Sequence, residues 1–106
     1  MEAQFVKVAT LDDLPEGATL DVEVEDGPKV CLANSDGEIY AIADRCTHAD
    51  FPMHNGKVHG GATIECAWHG ARYDMATGKP IRLPAIKPIK TFEVKVDGND
   101  IYIAVD

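Results

Sequence analysis

Cysteine and tryptophan are scarce in this chain, and basic residues are outnumbered. Three cysteines, an odd number, do not make the closed disulfide framework that staples small secreted domains. No apolar run approaches the roughly 20 residues that a membrane helix needs. The opening run Met1-Glu2-Ala3-Gln4-Phe5-Val6-Lys7-Val8 lacks the basic region and long apolar core of a secretory leader, so the expectation is a cytoplasmic protein. No serine–histidine–acid set, phosphate loop or nucleotide fingerprint occurs. Repeats, low-complexity segments and amphipathic helices are also missing. Lysine and arginine number 10 against 18 aspartates and glutamates, a formal charge of −8. That balance argues against nucleic acid or an anionic membrane as partner and favours a basic protein surface.

What is there fits one domain spanning residues 1–106. A chain of this length buries roughly 60–70 % of its unfolded surface, enough for a small core. Hydrophobic residues are 45 % of the total, which excludes disorder by composition. Gln4 to Ala9 alternates Phe5, Val6 and Val8 with polar residues and predicts a first strand. Leu11 to Gly17 reads as a short helical turn closed by Pro15 and Gly17. Thr19 to Val24 puts Leu20, Val22 and Val24 on one face and Asp21 and Glu23 on the other. Asp26-Gly27 and Asp36-Gly37 are hairpin signals that bound strands at Lys29 to Ala33 and Ile39 to Ala43. A last hairpin joins Thr91 to Val96 with Ile101 to Val105 around Asp97-Gly98-Asn99-Asp100. Strands about ten residues apart, with turn residues between them, predict an all-β sandwich or barrel. Cys31, within Val30-Cys31-Leu32-Ala33, reads as a small buried hydrophobe without a redox role.

Residues 45–74 break this rhythm. They hold all four histidines, two of the three cysteines, the single tryptophan and glycines at 56, 60, 61 and 70. Only Thr63–Glu65 and Arg72–Asp74 look like strand. A long glycine-rich insertion that also carries metal-ligand residues is read as functional, a small subdomain set into the larger β domain. Beyond it, Pro80, Pro84 and Pro88 are expected to interrupt regular pairing.

Two short runs carry the chemistry. Cys46-Thr47-His48 and Cys66-Ala67-Trp68-His69, with 17 residues between them, each supply one thiolate and one imidazole. Two sulfur and two nitrogen donors suit zinc or an iron–sulfur centre, and not calcium or magnesium. Zinc sites usually place two to four residues between paired ligands. The single residue between Cys46 and His48 is cramped for one ion but suits a pair of irons, because each member of the run can reach a different metal.

The pattern Cys-x-His, 17 residues, Cys-x-x-His resembles that of Rieske-type 2Fe–2S proteins. The stretch His69-Gly70-Ala71-Arg72-Tyr73-Asp74 is similar to the second cluster loop of the soluble Rieske ferredoxins of bacterial aromatic-ring dioxygenase systems. The resemblance implies a Rieske-type antiparallel β-sandwich with residues 45–74 as the inserted cluster-binding subdomain. It implies one 2Fe–2S cluster per chain, with Cys46 and Cys66 on one iron and His48 and His69 on the other. Two ferric ions, two sulfides and two thiolates sum to a neutral oxidised cluster, where four thiolates would leave a dianion. A neutral object accepts an electron more readily, hence the window of about −150 to +300 mV for such centres against about −400 mV for plant-type ferredoxins. High-potential members of the group carry an extra cysteine in each loop, and a serine two residues after the second histidine. This chain has Trp68 between Cys66 and His69, no cysteine after His48, and Ala71 at the serine position. The expectation is therefore the low end of the window, with Tyr73 as a possible opposing hydrogen-bond donor.

The implied function is one-electron transport from an NADH-dependent flavoprotein reductase to a terminal ring-hydroxylating oxygenase. The protein would act as a monomer, without catalysing a bond change itself. The ligand imidazoles of His48 and His69 would form the docking tip. Phe51, Met53, Trp68 and the Leu83-Pro84-Ala85 loop are candidates for shielding the rest, with Phe51 and Met53 read foremost as filling the subdomain core. His54 and His59 match no ligand position and read as surface histidines. The acidic residues at 12, 13, 16, 21, 23, 25 and 26 read as a solvated surface. Two other readings stand beside this one: the small subunit of an assimilatory nitrite reductase, and a structural zinc module.

Overall fold

The computed structural model describes residues 4–24, 27, 29–45, 52–67, 70–83 and 87–105. Among them the strands are β1 (Gln4–Thr10), β2 (Thr19–Glu23), β3 (Lys29–Ser35), β4 (Glu38–Ala43), β5 (Lys57–His59), β6 (Thr63–Glu65), β7 (Arg72–Asp74), β8 (Pro80–Arg82), β9 (Thr91–Phe92), β10 (Val94–Asp97) and β11 (Asp100–Val105). Every pairing is antiparallel, in three sheets ordered β1–β11–β10, β2–β3–β4–β9 and β5–β6–β7–β8. No α-helix occurs among the described residues, and the helical segments there are 3-10 turns at Leu11–Asp13 and Met53–Asn55. The first follows from Asp13, whose carboxylate accepts the Thr10 backbone N–H and hydroxyl.

The hydrophobic run Val30-Cys31-Leu32-Ala33 explains the layering. A strand alternates its side chains between two faces, so an unbroken apolar run must be covered on both. Val30 and Leu32 pack with Ala9, Leu14, Ala41, Ile101 and Ile103 in the core shared by the first two sheets. Cys31 and Ala33 belong to the opposite core, with Ile42, Met53, Ile64, Tyr73, Met75 and Ile89. Neighbouring Ala41 and Ile42 of β4 divide the same way. Burying each large aliphatic contributes about 1.5–3 kcal/mol, and the second core is what clamps the third sheet onto β3 and β4. Cys31 is fully buried, as expected, and burial pushes its thiol far above the ordinary thiol range.

The β3–β4 hairpin turns on Asp36 and Gly37, with φ of +55° and +89°, the two left-handed residues that match the twist of the flanking strands. Asp26 lies outside the described residues, while the Gly27 N–H donates to the Val24 carbonyl at 2.8 Å. The expected strand from Thr91 to Val96 is divided between sheets. Thr91–Phe92 pairs with β4, Val94–Asp97 pairs with β11, and the Glu93 carbonyl accepts the Ala104 N–H at 2.9 Å where the strand changes layer. Pro80 opens a strand rather than interrupting one, because the first residue of an edge strand has no ladder hydrogen bond to lose. Asp12, Asp13, Glu16, Asp21 and Glu23 are exposed, and residues 25 and 26 lie outside the described part.

Candidate metal centre

The third sheet presents the second ligand run at the end of a hairpin. Glu65 and Arg72 are the last register partners of β6 and β7, and beyond them the Cys66 N–H donates to the Ala71 carbonyl at 2.7 Å. The six-residue connection 66–71 is thus closed at its base. Gly70 takes φ of +70°, a left-handed conformation that turns the chain back toward β7. Cys66 is 1 % exposed and Ala71 fully buried, in the same core as Met53, Ile64 and Tyr73.

Outside that hairpin, Glu65 ties three strands together. Its Oε1 accepts from His59 Nε2 at 3.0 Å, Arg72 Nε at 3.1 Å and an Arg72 terminal nitrogen at 2.9 Å. These bonds, His59 first, hold the Glu65 carboxyl below its ordinary range. The group is partly exposed, so its value lies in fixing the strand ends next to Cys66 rather than in bulk stability.

The first ligand run is fastened by a different pair. Asp44 follows β4, and its buried carboxylate accepts the His54 backbone N–H at 2.8 Å while lying 2.6 Å from His54 Nδ1. The His54 carbonyl in turn accepts the Thr19 hydroxyl at 2.7 Å. Asp44 and His54, the described residues on either side of Cys46 and His48 in the sequence, are therefore tied to one another. Gly56 brings the Met53–Asn55 turn against the second hairpin. A Cβ at this position would stand 2.2 Å from the Glu65 carbonyl oxygen and 3.0 Å from that of Met53. Only glycine permits the approach, and the contact falls one residue before Cys66.

Of the four expected ligands, Cys66 is among the described residues and takes its place in the buried core. Cys46, His48 and His69 lie outside them, as do Phe51, Trp68, Pro84 and Ala85. Met53 is fully buried beside Cys66, whereas Leu83 is 74 % exposed and covers nothing by its own burial. His54 and His59 are not free surface histidines: each is half-buried and bound to a carboxylate. Asp44 and Glu65 carry no mark in the sequence, and Gly56 and Arg72 stand out only as members of the glycine-rich stretch and of the His69–Asp74 run, with nothing to show the contacts they make. Only the repeated coincidence of such residues with the ends of the ligand runs could have drawn notice.

Among the described residues no three His, Cys, Asp or Glu side chains are arranged to hold a metal, since three of the four donors in question fall elsewhere. The donor set itself fits an iron–sulfur centre, and so does a cysteine set in apolar surroundings at the base of a short loop. No helix among the described residues is long and apolar enough to cross a membrane.

The family model described as Rieske [2Fe-2S] domain matches residues 4–93. The 3-phenylpropionate/cinnamic acid dioxygenase ferredoxin subunit of Escherichia coli (strain K12) is 43% identical over 91 residues, covering 86% of this chain and 84% of that protein. Among solved structures, the ferredoxin of carbazole 1,9a-dioxygenase from Nocardioides aromaticivorans IC177 superposes with a TM-score of 0.89 at 36% identity, covering 97% of this chain and 99% of that one. A structure described as a complex of reduced oxygenase and oxidized ferredoxin in carbazole 1,9a-dioxygenase matches with a TM-score of 0.87 at 29% identity, over 94% of this chain and 92% of that one. A nitrite reductase small subunit matches at 24% identity and a TM-score of 0.80, over 94% of this chain and 97% of that one, a likeness of fold alone.

Proposed function

This chain belongs to the Rieske [2Fe-2S] domain family, and we propose that it is the electron-carrying ferredoxin of an aromatic-ring-hydroxylating dioxygenase system. The observation that carries this reading is the near full-length likeness to a dioxygenase ferredoxin subunit. In this role the protein takes one electron at a time from an NADH-dependent flavoprotein reductase and passes it to a terminal oxygenase. It changes no bond of the aromatic substrate. It works as a monomer in the cytoplasm, where its reductase finds NADH.

Cys46, His48, Cys66 and His69 are the residues that would hold the cluster, the cysteines on one iron and the histidines on the other. Their donor chemistry and the core position of Cys66 support the assignment. When bound, a Rieske cluster supplies a one-electron couple at a potential set by hydrogen bonds and solvent exposure. The protein's part is positional. Asp44 with His54 fastens the first loop, and Glu65 with His59 and Arg72 fastens the second. Met53, Ala71 and Tyr73 keep water from the base of the second loop. Residues 45–74 on this reading form the cluster-binding subdomain of a single domain spanning 1–106.

No observation favours the nitrite reductase alternative over this reading. Purified protein is expected to contain iron and acid-labile sulfide in equal amounts, to lose its red-brown colour with dithionite, and to be reduced by NADH only when a dioxygenase reductase is added. Colourless protein with bound zinc, or NADH reduction by a nitrite reductase flavoprotein alone, would overturn it.

A further inference from the structure

The net charge of −8 conceals a strong segregation. Residues 45–90 hold seven of the ten basic residues and three of the eighteen acidic ones, a balance of +4, while the remainder of the chain stands at −12. The register places part of this surplus at one edge. Lys57, Glu65, Arg72 and Arg82 are successive register partners across β5, β6, β7 and β8. Directly paired residues share a face of the sheet, and the neighbouring Val58, Ile64 and Tyr73 occupy the core face. The row therefore faces outward. It also lies at the end of the sheet from which the 66–71 loop springs, and Arg45 stands exposed where the other ligand loop begins.

The anions nearby are already engaged. Glu65 is held by Arg72 and His59, and Asp44 by His54. Arg72 is compensated by Glu65, so its register partner Arg82, together with Lys57 at the other end of the row, carries the uncompensated charge of this face. Arg82 is flanked in sequence by exposed Ile81 and Leu83. Uncompensated positive charge beside exposed apolar side chains has the composition of an interface.

We propose that this edge of the third sheet is a cationic docking face for a protein redox partner whose matching surface is an acidic rim around an apolar centre. The inference rests on the electron-carrier reading and reverses what the net charge implies, since the rest of the chain, at −12, repels an acidic partner and so favours approach by this edge. That remainder, together with the apolar edge, disfavours a long polyanion such as duplex DNA.

The test uses the reduced holoprotein and two small outer-sphere oxidants of opposite charge, hexacyanoferrate(III) and hexaammineruthenium(III). Oxidation by the anion is expected to slow severalfold as salt rises, and oxidation by the cation not to slow. Lys57→Gln with Arg82→Gln should remove most of the salt effect, Arg82→Lys should retain it, and Lys7→Gln on the first sheet should leave it unchanged. Retention on immobilised poly-glutamate, lost in the double variant, reads the same face without redox chemistry, so a protein lacking its cluster is distinguished from a face that is not cationic. Anion rates that rise with salt, a double variant that behaves as the parent, or binding to duplex DNA as tight as to poly-glutamate would overturn the proposal.

Discussion

Asp44 grips His54 twice, accepting its backbone N–H on Oδ1 at 2.8 Å and meeting its Nδ1 with Oδ2 at 2.6 Å. An ionised carboxylate can only accept, so Nδ1 carries the hydrogen in this pair. The bond joins the end of β4 to the 3-10 turn at Met53–Asn55, and Cys46 and His48 fall between the two in the sequence. A chain segment that binds metal loses conformational entropy on doing so, and fixing its two ends removes part of that loss beforehand.

Asp44→Ala therefore forfeits both bonds and leaves the His54 N–H without its acceptor. About 2 kcal/mol of stability should go with them, while Asp44→Asn, which keeps the backbone bond, should lose about half as much. Urea unfolding of the holoprotein measures the stability, and the rate of iron loss to a chelator measures the loop. Unchanged iron loss in Asp44→Ala would show that the brace does not serve the ligand loop.

Gly56 makes a sharper prediction, because the obstacle is backbone. A Cβ at 2.2 Å from the Glu65 carbonyl cannot be relieved by rotating a side chain, so β6 or the 3-10 turn must move. Gly56→Ala should cost about 3 kcal/mol, at the upper end for overpacking, and shift the visible spectrum through the displaced Cys66. Gly98→Ala is the comparison. Its φ of +62° strains a side chain, but nothing stands within 4 Å of the added atom. It should cost roughly 1–2 kcal/mol, the left-handed penalty alone, and leave the spectrum as it is.

The features legible in the sequence were those written in neighbouring residues. Asp36-Gly37 announces its turn because left-handed backbone needs those residue types, and Val30 to Ala33 announces a strand covered on both faces because nothing in it is polar. The three-residue strands β5 and β8 carry no such mark, being too short for a period to show. The break at Glu93 is set by two sheets that meet there, and no local preference encodes it. His54 and His59 were misjudged for the same reason, since Asp44 and Glu65 become their partners only through folding. The two Cys–His runs stand out in the sequence because metal chemistry restricts donor type and spacing; the Asp44–His54 and Glu65–His59 bonds do not, because any acid near any histidine could make them.

The two described cysteines should behave oppositely although both are buried. Cys31 lies in the core face of β3 with its thiol driven upward by burial, and by Asp44 and Asp21 to a lesser degree. Cys31→Ala should keep the cluster and its spectrum, at a cost of about 1 kcal/mol, whereas Cys66→Ala should abolish the cluster. The neutral thiol of Cys31 stabilises the fold fully below the ordinary thiol value of 9.0. As pH rises above that value the unfolded chain alone ionises, so stability should fall, and Cys31→Ala should flatten this alkaline decline. Denaturant midpoints measured from neutral pH to pH 10 check it. Rapid alkylation of Cys31 in the native protein at pH 8 would contradict the burial argument.

Tyr73 is the residue on which the potential can be tested. Ala71 brings no hydroxyl to the position two residues after His69, and the loops hold no additional cysteine, so little lifts the couple from the low end of its window. Tyr73 is fully buried in the core that contains Cys66, while Tyr40 packs against that core from its edge and is only partly buried. If its hydroxyl donates toward the ligand sulfurs, the bond strengthens as the cluster gains negative charge, and its loss makes reduction harder. Tyr73→Phe keeps the ring and its packing, so the change isolates that bond. A bond of about 1 kcal/mol corresponds to roughly 40 mV for a single electron, and the potential should fall by that order. A redox titration that finds the parent protein well above zero would refute the low-potential assignment, and a Tyr73→Phe potential equal to the parent's would remove Tyr73 from the redox site and leave it a packing residue.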